Sequence, residues 1–123
     1  MGLDMYLSCK VKNVGTPDEL YWRKANAIHK WFVDNCQNGN DDCESYEVSI
    51  DQLKTLINVC ERVQSNRSEA SEFLPTASGF FFGGTDYDPG YFTNIEFTIT
   101  ELRNLCNKYN NRDDVQFFYH SSW

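Results

Sequence analysis

Between Thr16 and Cys36 runs T-P-D-E-L-Y-W-R-K-A-N-A-I-H-K-W-F-V-D-N-C, the stretch with the strongest helical signals and the densest set of versatile side chains in the chain. Thr16 can cap. Pro17 suits the first helical position, where a missing N–H costs nothing, and Glu19 stands where a capping box places a carboxylate. At about 100° per residue, Tyr21, Ala25, Ile28 and Phe32 share one stripe, which Leu20, Ala27 and Trp31 widen. The expectation is a central helix over residues 16–36 with this stripe on the core. Trp22, Asn26, His29 and Val33 then line one edge, and Arg23 and Lys30 point roughly away from the core.

The flanking segments suggest a sheet for that helix to cover. From Gly2 to Val11, Leu3, Met5, Leu7, Cys9 and Val11 alternate with Asp4, Tyr6, Ser8 and Lys10, the period of a strand buried on one face. Asn13-Val14-Gly15 reads as a turn, and so does Asn38-Gly39. Glu44 to Val48 reads as a short strand. Ser49 and Gln52 form a capping box for a second helix, whose Leu53, Leu56, Ile57, Cys60 and Val63 recur at helical spacing. Residues 64–78 are polar and irregular, and Phe80 to Phe82 reads as a short buried strand. A third helix is expected from about Pro89 to Tyr109 and a last strand from Val115 to His120. The order β-α-β-α-β-α-β predicts a single α+β or α/β domain spanning residues 1–123, about three helices on a small mixed sheet.

Length and charge narrow the partners. A chain of 123 residues, 41% hydrophobic and 15% aromatic, is long enough for one core and too apolar for disorder. The N-terminus lacks a basic region followed by an apolar run, and no segment has the length to cross a bilayer, so a cytosolic protein without membrane contact is expected. A net charge of −7 disfavours direct nucleic-acid binding, which needs clustered Lys and Arg. The five cysteines lack the spacing of a disulfide framework and are read as reduced thiols.

Three stretches carry a resemblance. M-G-L-D-M-Y-L, Y-W-R-K-A-N-A-I-H-K-W-F and G-F-F-F-G-G-T-D-Y-D resemble an uncharacterised family of small bacteriophage and prophage proteins, over most of the chain from Met1 to about Tyr91. No catalytic residue carries over from it. The resemblance implies a context: a small accessory phage protein that acts on host physiology or defence.

Candidate sites follow from the residues. His29 with Cys36 or Cys43 would be a nucleophile and base, but seven helical residues separate His29 from Cys36 by about 10 Å, and His120 reaches them only through the fold. No nucleophile elbow, P-loop or dinucleotide fingerprint is present, and no metal set or cofactor is expected. A ligand pocket is the better case. Trp22, Arg23, Asn26 and His29 bring a π face, a guanidinium, an amide and an imidazole; Gly83, Gly84, Asp86 and Tyr87 bring exposed backbone and an aromatic. That set suits a nucleotide-derived small molecule, bound and sequestered without turnover. Two other readings stay open. Asp41, Asp42 and Glu44 would present an anionic face that occludes a host nuclease or another defence protein such as a CRISPR effector, or His29 with Asp86 or Asp88 would hydrolyse a phosphoester or nucleotide. An exposed aromatic patch would serve equally as a homo-oligomer interface.

Overall fold

The computed structural model describes residues 2–79 and 82–123. It opens with two strands, β1 (Asp4–Val11) and β2 (Gly15–Arg23), before helix α1 (Asn26–Cys36). Strand β3 (Tyr46–Val48), helix α2 (Ile50–Ser65), a 3-10 turn (Arg67–Glu69), the short helix α3 (Ala70–Phe73), helix α4 (Pro89–Lys108) and strand β4 (Val115–Ser122) complete the chain. The sheet has the order β2-β1-β4-β3, and all its pairings are antiparallel. Helices cover one face, so this is an α+β domain.

The first half of the expected central helix is a strand. Backbone pairing explains the correction: β1 sits between β2 and β4, with Leu7 opposite Leu20 and Met5 opposite Trp22. Residues 18–23 also alternate, Leu20 and Trp22 buried and Glu19, Tyr21 and Arg23 exposed. Pairing along β1 satisfies both the N–H and the C=O of every second residue, which outweighs the helical preference of the same side chains. Pro17 therefore lies in an edge strand, at the irregularity where the register shifts between Cys9 and Val11, and not at a helix start. The element order accordingly begins β-β, and the sheet is antiparallel where a mixed one was expected.

Other expectations hold locally. Leu3, Met5, Leu7, Cys9 and Val11 are buried as the alternation required. Ser49 and Gln52 form the capping box of α2, and Asp88 caps α4 with Pro89 in its first turn. Residues 64–78, read as irregular, contain the 3-10 turn and α3. Of the strand expected at Phe80 to Phe82, the first two residues lie outside the described ones; Phe82 is buried in irregular backbone.

The core lies between the sheet and α1, α2 and α4. Phe32 of α1 stacks on Tyr119 of β4 with ring centroids 4.0 Å apart, and Trp22 Nε1 donates to Thr98 Oγ1 of α4 at 2.9 Å. That bond and the burial of Leu20 and Trp22 fasten the edge strand to α4. Lys24 N–H, just past β2, bonds Leu3 C=O at 2.7 Å, so alternation turns the N–H of Leu20 towards β1 and that of Tyr21 to the open edge. Leu20→Pro is expected to cost about 3 kcal/mol or more in urea denaturation, and Tyr21→Pro, which removes no ladder bond, well under half of that.

Candidate functional site

A cleft of about 440 Å³ opens where β2 ends, α1 starts and α4 starts. Its walls include Arg23, Lys24, Asn26, Gly83, Gly84 and Asp86. Each is placed by a local reason. Lys24 has a left-handed backbone (φ 55°), which breaks the strand and turns the chain into α1. Helix α1 starts after Ala25, and no side chain caps it and no acidic residue lies in its first turn. Its first N–H groups therefore lack both a helical partner and a side-chain acceptor, and they carry the positive end of the helix dipole. Arg23 and Lys24 also line the cleft, and the Arg23 guanidinium lies 3.4 Å from Asp4 Oδ1 on the open face of the sheet.

Asn26 holds the opposite wall. Its Nδ2 donates to Phe82 C=O (3.0 Å) and Gly84 C=O (2.8 Å), and its Oδ1 accepts from Ala77 N–H (3.1 Å). One buried amide thus ties α1 to the loop before and after the two undescribed residues. Thr76 Oγ1 donates to Thr85 C=O at 2.9 Å, and Thr76 N–H donates to the Tyr87 hydroxyl at 3.2 Å. Gly83 is left-handed (φ 86°), and a Cβ there would stand 3.3 Å from Lys24 Cβ, so the loop can approach the α1 start only as glycine. Asp88 accepts from Tyr91 N–H, which leaves the Asp86 carboxylate as the rim's acidic group without a capping task.

The cleft gathers only part of the set nominated from the sequence. Arg23, Asn26, Gly83, Gly84 and Asp86 line it. Trp22, 3% exposed, lies in the core because β2 alternates with period two and aims it at Thr98 and Phe32. Tyr87 packs edge-on against Tyr91 beside the cleft. Lys24 was missed; its signal was a second cation directly before a helix start with no capping residue.

His29 belongs to a different cluster. It is 1% exposed; Tyr119 OH donates to its Nδ1 (2.6 Å) and its Nε2–H donates to Asp41 Oδ1 (2.9 Å), the tautomer this network selects. Burial pushes the imidazole pKa below its ordinary value, and the Asp41 carboxylate offsets this only in part, so the pair is a neutral ring on a carboxylate. Burial also holds the Tyr119 phenol well above its usual range, which keeps it the donor. Trp123 Nε1 donates to the same Asp41 oxygen at 3.0 Å. Both ring nitrogens are thus engaged away from Asp86 and Asp88. Two of the three carboxylates nominated as an anionic face are hydrogen-bonded within the chain: Asp41 as described, and Asp42 by the Tyr46 hydroxyl (2.6 Å) and the Glu44 N–H (3.1 Å). Burial raises the Cys36 thiol to about 11, far from a reactive thiolate.

Asn26→Ala is expected to destabilise the fold by about 2 kcal/mol, because it leaves two carbonyls and an amide without their partner; chemical denaturation measures it. His29 gives a pH signature. Its folded pKa lies below the ordinary 6.5, so stability is complete above 6.5 and falls as pH drops towards the folded value, where only the unfolded chain takes up the proton. Asp18, Asp42 and Asp114, held below 3.8 by their partners, act at lower pH. Thermal melts from about pH 8 to about pH 5 should show this loss, and His29→Gln should melt lower at neutral pH with a flatter slope. The chain matches no protein-family model, no curated protein and no solved structure.

Proposed function

We propose that the protein binds and sequesters a nucleotide-derived small molecule in this cleft, without turning it over. The observation that carries the reading is that an uncapped helix start, Arg23 and Lys24 line the same 440 Å³ cleft. A phosphate seated there gains backbone N–H donors, the dipole of α1 and two cationic side chains. Asp86, which also lines the cleft, suits a sugar hydroxyl or an amino edge, which a carboxylate accepts and a phosphate does not offer. The volume falls within the range of small-ligand sites. Without a free imidazole or an activated thiol on its walls, binding is better supported than hydrolysis.

The resemblance to phage and prophage proteins supports the same direction, because withdrawing a signalling nucleotide from its receptor is one way for a small accessory protein to blunt a host response. The anion site is local, so the net charge of −7 does not oppose it.

Native mass spectrometry of protein purified from cells, with and without a nucleotide and cyclic-nucleotide library, tests the proposal. A retained adduct of nucleotide mass is expected, and calorimetry should then show Arg23→Ala and Lys24→Ala each weakening its binding roughly tenfold. Trp22→Phe should bind as the parent does. A chain that ignores the whole library, or an adduct indifferent to both charge deletions, would reject the reading.

A further inference from the structure

Strand β2 lies at the edge of the sheet, and among the described residues no strand pairs with its outer side. The ladder identifies the groups that face outward. Lys24 N–H bonds Leu3 C=O, and Leu20 and Trp22 sit opposite Leu7 and Met5. Bonding sides alternate along a strand, so Leu20 and Trp22 turn their N–H and C=O groups to β1. Glu19, Tyr21 and Arg23 turn theirs to the open edge. On the far side of β1, Lys12 N–H bonds Asp114 C=O (2.8 Å), which places the even-numbered residues of β1 towards β4 and agrees with this alternation. Pro17, without an N–H, ends the template at one side, and the left-handed Lys24 ends it at the other.

We propose that a second copy of this chain adds to that edge, β2 against β2, antiparallel about a twofold axis at Tyr21. Among registers that bring outward groups together, this one alone pairs all three residues: Tyr21 faces Tyr21, and Glu19 of each protomer faces Arg23 of the other, each pair exchanging its backbone bonds. The side chains agree with it. On the open face a carboxylate meets a guanidinium twice, and on the helix-covered face Leu20 comes opposite Trp22. The intrachain partner of Arg23, Asp4, is 3.4 Å away and lies at the surface, which leaves the guanidinium free to be shared.

Apolar surface flanks the same edge. Tyr21 is 44% exposed on the open face, and Phe97 of α4 is 40% exposed below it, its ring 6.3 Å from that of Trp22. Leu20, Tyr21, Phe97 and Leu105 contribute to a groove of about 410 Å³ running along the strand. Self-pairing brings the two Phe97 side chains towards the joint between protomers, so exposed aromatic surface lies on both sides of the new ladder. A long edge strand left open is an aggregation hazard, and a closed twofold pairing removes it.

Sedimentation velocity and light scattering on the full chain test this. The expected particle has twice the 14.3 kDa mass of the chain and dissociates on dilution. Glu19→Arg sets like charges opposite each other and should weaken association roughly tenfold or more, and adding Arg23→Glu should restore it. Tyr21→Pro removes the outward N–H at the axis and should give a monomer with the parent's circular dichroism. Glu19 does not line the cleft and Arg23 stays in place in Glu19→Arg, so ligand titration of that variant as a monomer separates this proposal from the ligand reading. A chain that stays monomeric up to about 0.5 mM overturns the proposal. So does a dimer indifferent to Glu19→Arg, or one that the double exchange fails to restore. If Tyr21→Pro does not fold, the charge exchange decides alone.

Discussion

The backbone of β1 has to be paired on both sides, and most of the architecture follows from that. Its apolar face is fully buried and it is the centre of the sheet, so unpaired N–H and C=O groups there would go without both water and a partner. β4 supplies one side. The other comes from the residues that follow directly, because the turn at Asn13 to Gly15 delivers residues 15–23. Once those residues are a strand, α1 has to begin after them, and it begins at Asn26 without a cap. The open helix start at the cleft is thus a consequence of the pairing of β1.

Two buried polar side chains on the first turns of α1 then position the long loops. Asn26 binds the segment from Ala77 to Gly84, and His29 binds Asp41 and, through it, the terminal Trp123. Both have their hydrogen bonds met, so burial stabilises a single arrangement and does not penalise it. This accounts for the division of labour among the residues that looked functional. Asn26 and His29 hold the loops, and the cations that line the cleft are Arg23 and Lys24, at the point where strand gives way to helix.

The α+β class, the alternation of β1, the capping box of α2 and the start of α4 at Asp88 and Pro89 were legible in the sequence because each is decided within a few residues. Residues 16–24 were misleading for the opposite reason. Thr16, Pro17 and Glu19 do compose a helix start, and the period-two pattern of Leu20 and Trp22 is too short to compete with it locally; only contact with β1 decides. The cleft shows the same limit. Arg23, Asn26, Gly83, Gly84 and Asp86 were recoverable by residue type, but Trp22 could be assigned to the core only once its strand was known. Asp41 was readable as an acidic loop residue, yet its partner His29 lies on a helix twelve positions earlier and its second partner at Trp123, separations that no local pattern encodes.

The charge distribution joins the cleft to the rest of the surface. An excess of seven acidic groups repels long polyanions, whose many phosphates must lie on the surface together. A single phosphate entering a recessed site samples mainly the charges within a Debye length of about 8 Å at physiological salt. The cleft is lined by Arg23, Lys24 and the start of α1, and Asp41 and Asp42 are not among its lining residues. The same overall charge that argues against nucleic acid therefore weighs far less on a small anion than on a polymer. Polymer and monomer of the same chemistry are distinguished by how many charges must be accommodated at once.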